Sequence, residues 1–215
     1  FPTRRSSDLP QIDLLSGHIV GVEALIRWAP VPMARVLFAN SGSEANDCAV
    51  RVAWYYWHAV GKTQKRKMLA HRQSYHGNTI ASASLSGVSY NHEGFGLPLP
   101  DFLHVECPHY YRNAHDGENE AAYTQRLLTD LEARILSEGA DTTAAFFTEP
   151  VIAAGGVIVP PPGSFDGLQK LLKKYDILLV CDEVVTGFAR TGEMFGATTM
   201  NILPDMLVWA GLAFL

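Results

Sequence analysis

Apolar and polar positions along this chain alternate in short blocks that switch between strand and helix periods. Val36–Asn40 (VLFAN) is an apolar run that predicts a strand. The polar turn SGSEAN follows, and a helix-length stretch then continues to about Val60 and stops at Gly61. Met68–His71 predicts a second strand, leading through the polar SYHGN turn to a small-residue helix over Thr79–Ser86. Tyr90–Pro100, rich in Gly and Pro, predicts a loop, and Phe102–Glu106 another strand. Over Glu118–Ser137 the residues Ala122, Leu127, Leu128, Leu131 and Ile135 recur at helical spacing, which predicts a helix covering one face of a sheet. Ala144–Thr148 is a fully apolar strand that ends at Glu149-Pro150, and GGVIVPPPG makes an irregular connection. Ser164 is then expected to cap a helix over Phe165–Tyr175. The uninterrupted apolar run Ile177–Cys181 suits a central parallel strand buried on both faces, and Asp205–Ala210 predicts one more strand. Strand and helix alternate over most of the length, so the expected class is α/β with a mostly parallel sheet. No internal repeat or low-complexity tract interrupts the pattern.

Composition narrows the class of partner. With 215 residues, 47% of them hydrophobic, the chain is long enough to bury a substantial core. Its net charge is −5, and basic residues are scattered except at Lys62–Lys67 and Lys170–Lys174, so nucleic acid is not expected as a partner. Cys48, Cys107 and Cys181 are odd in number and never fall in C-x-x-C spacing, which speaks against a disulfide framework and against a zinc site. There is no run of about 18 uninterrupted apolar residues and no signal-peptide order at the start. The expectation is a soluble, unexported protein of the reducing cytoplasm with no membrane partner. Residues 1–9 (FPTRRSSDL) lack periodicity and are read as an artefactual or disordered leader. At the other end, Leu207–Leu215 is an apolar run without a cap or polar tail, which is read as a truncation.

The polar segments SGSEAN, SYHG and DEVVTGFAR fall at the carboxyl ends of predicted strands, where open α/β sheets bind ligands. At the first, Gly42 permits close backbone approach, Ser41 and Ser43 offer hydroxyls, and the following helix offers unpaired N–H groups and its positive dipole end. That combination suits a phosphate, and equally an ordinary serine-capped turn. Asp182 follows a buried strand, where a carboxylate needs a cation or several donors. A protonated heterocycle nitrogen, a metal, a helix cap or a salt bridge to Arg190 would each serve. No matched carboxylate or histidine favours the metal, so no metal ligand is assigned. Glu183, next along, is expected to point away. Tyr75 and His76 present flat rings on a turn beside Gly77, where one could stack on a planar ligand or simply form a surface turn. The cluster Trp54-Tyr55-Tyr56-Trp57 is expected at a subunit interface.

The ordered set Asn40-Ser41-Gly42-Ser43-Glu44-Ala45-Asn46-Asp47, Ser74-Tyr75-His76-Gly77, Glu149-Pro150-Val151 and Asp182-Glu183-Val184-Val185-Thr186-Gly187-Phe188 resembles the class III (omega) aminotransferases from about Leu25 to Ala210. The resemblance implies fold type I, a three-layer α/β/α sandwich that would be incomplete here, with pyridoxal 5′-phosphate (PLP) in the large domain of a homodimer. It divides the chain into the leader 1–9, a partial N-terminal helical segment 10–35, and a PLP-binding large domain 36–215. Carried over by position, Gly42 and Ser43 would bind the phosphate with Ser41 beside them. Tyr75 would stack on the pyridine ring with His76 in support, and Val184 would pack on the opposite ring face. Asp182 would pair with the ring nitrogen, and Glu149 would be a nearby carboxylate.

The implied reaction is transfer of an amino group between an amine or amino acid and a 2-oxo acid such as pyruvate. The family's Schiff-base lysine follows the last strand, but here Ala210 is followed by Gly211-Leu212, so no catalytic residue is assigned and the chain is expected to be an inactive fragment. Ala189 stands where the family has glycine in the GF-x-R turn, expected as a mild stiffening. Two other readings remain at this point. One is a noncatalytic PLP-binding or scaffold protein, and the other is a related PLP decarboxylase or racemase.

Overall fold

The computed structural model describes residues 22–26 and 35–209. Its strands are β1 (Val22–Ile26), β2 (Arg35–Ala39), β3 (Lys67–His71), β4 (Phe102–Val105), β5 (Thr143–Thr148), β6 (Leu178–Asp182) and β7 (Met206–Val208). Its helices are α1 (Gly42–Ala59), α2 (Ile80–Leu85), α3 (Tyr110–Asn113), α4 (Glu120–Glu138), α5 (Ser164–Lys174) and α6 (Gly196–Thr199). The seven strands form one sheet in the order β2-β1-β7-β6-β5-β3-β4. Every pair from β7 to β4 is parallel, and β1 runs antiparallel to both of its neighbours. β2 therefore points the same way as the parallel set, so the turns after β2, β3, β5 and β6 all emerge at one sheet edge.

Alternation along the strands sorts side chains into two layers. Met68, Ala70, Ala145, Phe147, Val180, Met206 and Val208 face α1 and α2, where Ala45, Ala49 and Ala53 recur every four residues and let α1 lie close to the sheet. Leu69, Phe146, Leu179, Cys181 and Leu207 face the opposite way, against Leu131 and Ile135 of α4 and Phe165, Leu168, Leu171 and Leu172 of α5. All six residues of β5 are buried, as expected of a strand covered on both faces. The result is the three-layer α/β/α arrangement expected from the sequence.

Local chemistry sets the helix ends. Ser41 caps α1 by accepting from the Glu44 N–H at 3.2 Å, while Glu44 reaches back to the Asn40 N–H at 2.7 Å. Asn119 caps α4 through the Ala122 N–H at 2.9 Å, and Gly139, with φ +91°, ends it.

Four expectations are corrected. Val22–Ile26, inside the segment 10–35 read as helical, is a strand hydrogen-bonded to β2 and β7; the rest of that segment up to Met33-Ala34, like the leader 1–9, lies outside the described residues. Ser164 is the first residue of α5 rather than its cap. Gly163 at φ +79° makes the entry, and the Ser164 hydroxyl finds no partner among the described residues. Trp57 belongs to the core: it is 1% exposed and donates its indole N–H to the Ala144 carbonyl at 2.9 Å. Ala189 is held at φ +63° next to Phe188 at φ +58°, a left-handed conformation that strains an alanine rather than merely stiffening the turn.

Basic residues of the two clusters are tied down at the other sheet edge. Lys62 pairs with Asp176, Lys67 with Glu138, and Lys174 with Glu132. Lys65 is buried, with its ammonium among the Thr143, Tyr175 and Asp176 carbonyls and 4.6 Å from the Trp57 ring centroid. Burial brings its pKa down to about 8.

Candidate functional site

The turns that leave the common sheet edge meet around Asp182, the last residue of β6. The side chain is 3% exposed. Its Oδ2 accepts from the Asn46 amide and from His76 Nδ1, each at 2.8 Å, and its Oδ1 accepts from the Val184 N–H at 3.0 Å. Arg190, the alternative partner, is not among these bonds. Asn46 also donates to the His76 carbonyl at 2.9 Å, so α1, the SYHGN turn and the end of β6 are locked together. Burial opposes a charge on His76, but the hydrogen bond and charge of Asp182, with Glu149 behind them, raise its pKa.

The N-terminus of α1 lies beside this carboxylate. Its first N–H groups, at Gly42 and Ser43, have no carbonyl within the helix to bond. A Cβ at Gly42 would come within 3.0 Å of Val184 Cγ2, so glycine is what allows Val184 to sit against the helix start. Ser43 Oγ accepts the Asn78 N–H at 3.0 Å. Gly77 packs onto Ser43 at φ +133°, and a Cβ there would lie 2.7 Å from Ser43 Cα. Only glycine permits that approach.

Tyr75 is half-buried, and its hydroxyl donates to Asn78 Oδ1 at 2.9 Å. Its backbone N–H is held by Glu149 Oε1 at 3.0 Å, while Glu149 Oε2 accepts from Ala153 at 3.1 Å. Glu149 is 4% exposed. Burial, aided by the charge on Asp182, pushes its pKa up to about 7 despite the opposing pull of His76.

Seven of the eight residues singled out from the sequence, Gly42, Ser43, Tyr75, His76, Glu149, Asp182 and Val184, thus fall in one connected cluster, while Ser41 adjoins it along the chain with its hydroxyl on the Glu44 N–H. Sequence reasoning missed Asn46 and Ser86, whose hydroxyl accepts the His76 N–H at 2.8 Å. Asn46 had a usable signal, since it stands four residues after Gly42 on the same face of a predicted helix. Glu183 does point away. Its buried carboxylate accepts from Thr186 Oγ1 at 2.5 Å, the Gly196 N–H at 2.9 Å and the Ala197 N–H at 2.5 Å, fixing the loop beyond Asp182 to the start of α6. A cavity of about 270 Å³ between α4, α5 and the ends of β3 and β4 includes none of the cluster residues. Among the described residues no lysine bonds to the cluster, and the Ala210-Gly211-Leu212 position of the expected lysine lies outside them.

A mostly parallel α/β sheet with a helix N-terminus, a half-buried aromatic and a buried carboxylate at one edge is an arrangement suited to a flat, phosphorylated heterocycle. The family model "Aminotransferase class-III" matches residues 17–213, and the chain belongs to that family. It is 48% identical over 201 residues to gamma-aminobutyrate transaminase 1, mitochondrial, of Oryza sativa subsp. japonica, covering 94% of this chain and 38% of the relative. It is 48% identical over 198 residues to vanillin aminotransferase of Capsicum chinense, covering 92% and 42%. The solved omega transaminase from Pseudomonas jessenii in complex with PMP superposes with a TM-score of 0.82 at 54% identity, covering 85% of this chain and 40% of that one. The chain therefore spans about two-fifths of the length of these relatives.

Members of this family use pyridoxal 5′-phosphate, and the residues present fit it. The unbonded N–H groups of α1 suit a phosphate. Asp182 Oδ1 carries one donor and has a lone pair left for a protonated ring nitrogen.

Proposed function

We propose that the protein carrying this chain moves an amino group between an amine or amino acid and a 2-oxo acid such as pyruvate, using pyridoxal 5′-phosphate. The observation that carries this reading is the bonding of Asp182, a buried carboxylate held by three protein donors and still short of one. When bound, the cofactor supplies an electron sink for the carbon that bears the amine. Gly42 and Ser43 N–H groups, at the positive end of α1, bind its phosphate together with the Ser43 hydroxyl, which accepts from Asn78 and still has its own proton to donate. Asp182 keeps the proton on the ring nitrogen, so that the sink remains effective. Tyr75 and Val184 would hold the two faces of the ring, and Glu149 fixes the Tyr75 backbone by accepting its N–H. The sheet from β1 to β7, with the helices packed on it, acts as the cofactor-holding domain.

The working unit in this reading is a homodimer, with small molecules rather than nucleic acid or membrane as its other partners. In support, Tyr55, Ile80, Tyr90 and Phe95, on or just after α1 and α2, are 63%, 62%, 63% and 72% exposed. Among the described residues no helix is long and apolar enough to cross a membrane. Cys48, Cys107 and Cys181 are all free, which fits the reducing cytoplasm, although relatives carry mitochondrial and chloroplastic names.

The test is made on the full-length protein. Adding an amine should shift the absorbance of bound cofactor, and turnover should depend on a 2-oxo acid. Asp182→Ala should remove nearly all turnover, while Ser43→Ala should chiefly weaken cofactor retention. Unchanged turnover in Asp182→Ala would overturn the ring-nitrogen assignment. Product formation without a 2-oxo acid would point to a decarboxylase or racemase, and an absent amine response to a noncatalytic binder.

A further inference from the structure

Asp182 has two oxygens with different duties. A carboxylate oxygen has two lone pairs in the plane of the group. On Oδ2 both are taken, by the Asn46 amide and by His76 Nδ1 at 2.8 Å each, while Oδ1 has one taken, by the Val184 N–H at 3.0 Å. Any further donor must therefore come to Oδ1. His76 alone would leave Oδ2 with room for a second donor, and the carboxylate would be free to present either oxygen. Asn46 closes that option, and it is itself 0% exposed and fixed by its second bond, to the His76 carbonyl at 2.9 Å.

We infer that Asn46 is a positioning residue that dedicates Oδ2 of Asp182 to the protein and so reserves Oδ1 for the ring nitrogen of the cofactor. The inference rests on the functional reading above and deepens it. The location of Asn46 explains why this residue has the role. Gly42 and Asn46 are four apart on α1, hence on one face and roughly 6 Å apart along the axis. One rigid helix thus presents the N–H groups for the phosphate end and, a turn later, the amide that orients the partner of the ring end. The two ends of the ligand are measured off on a single element.

The residue type matters as much as its place. An amide N–H can only donate to the carboxylate, whereas a leucine of nearly the same shape offers Oδ2 no donor and, unlike an aspartate, cannot share a proton with the Asp182 carboxylate. Asn46→Leu is therefore a nearly isosteric test. It is made in the full-length protein, cofactor removed, by titrating two ligands: pyridoxal 5′-phosphate, and its analogue with C–H in place of the ring nitrogen. Asn46→Leu should raise Kd for pyridoxal 5′-phosphate about tenfold or more and leave Kd for the analogue within about twofold, because the lost interaction acts through the ring N–H. Combined with Asp182→Asn it should add almost no further loss, since both changes act on one contact.

Equal weakening of both ligands would show that Asn46 merely holds α1 to its neighbours, and unchanged affinity for both would show that Oδ2 needs no second donor; either overturns the inference. Asn46→Ala serves as a second variant if thermal melting shows Asn46→Leu to misfold, with the same selective loss expected. Failure of the unsubstituted protein to bind pyridoxal 5′-phosphate would instead overturn the reading of the whole site. Failure of Asp182→Asn to discriminate the two ligands would overturn the ring-nitrogen assignment, with Asn46 falling alongside it.

Discussion

Glu183 offers a prediction whose size follows from its bonding. Its side chain is fully buried and accepts from two amides that open α6, Gly196 and Ala197, and from the Thr186 hydroxyl. Glu183→Ala strands these three donors in surroundings where Ala197 is 5% and Thr186 3% exposed. A buried donor left without a partner costs about 1–3 kcal/mol, and water entering the vacated space recovers part of that. The expected loss is about 4 kcal/mol. With a urea dependence of about 2 kcal/mol per molar, the unfolding midpoint should fall by about 2 M. Glu183→Gln should fall between the two, because an amide oxygen still accepts from one donor while its NH₂ faces the others. Arg134→Ala, which breaks a partly exposed i,i+4 pair with Glu138, is the control and should change stability by no more than about 0.5 kcal/mol. A midpoint shift under about 0.5 M for Glu183→Ala would refute the reasoning and show that the loop and α6 hold each other without the carboxylate.

Two further outcomes are expected. Ala189→Gly relieves an exposed alanine at φ +63° and should stabilise the protein by about 1 kcal/mol, read as a higher melting temperature; a lower one would show that the left-handed turn is not strained. Glu149 titrates near pH 7 when folded against its ordinary value of 4.5, so the folded state holds this proton more tightly than the unfolded chain. Its contribution to stability is then full below about pH 4.5 and is lost as the pH rises to about 7. Glu149→Gln should flatten the stability profile over that window, and an unchanged slope would show that Glu149 is ionised in the fold.

Much of the fold was legible in the sequence because short buried strands and amphipathic helices differ in period. Val36–Asn40, Met68–His71 and Ile177–Cys181 were recognised by their apolar runs, and α4 by Leu127, Leu128, Leu131 and Ile135 at helical spacing. Elements held by distant partners, β1 and α6, escaped. β1, five residues paired on both sides, owes its existence to its neighbours in the sheet, and α6 owes its start to the Glu183 carboxylate, thirteen residues earlier. Neither signal is local, so neither could be read from a window of residues.

The site divides in the same way. Sequence by itself determined which residue types stand at strand ends: Gly42 and Ser43 opening a helix, Tyr75-His76-Gly77 in a turn, and Asp182 at the close of a buried strand. It also placed the chain in its family, through motifs whose order survives without coordinates. Tertiary structure alone decided what those residues touch. That His76 and Asn46 share one oxygen of Asp182, that Glu149 holds Tyr75 by its backbone, and that Trp57 is core rather than interface all depend on contacts between residues 30 to 136 positions apart. The physical reason is the range of the interactions. Period, capping and turn chemistry act over a few residues and are written in sequence order, whereas hydrogen bonds to a buried carboxylate are set by how layers pack.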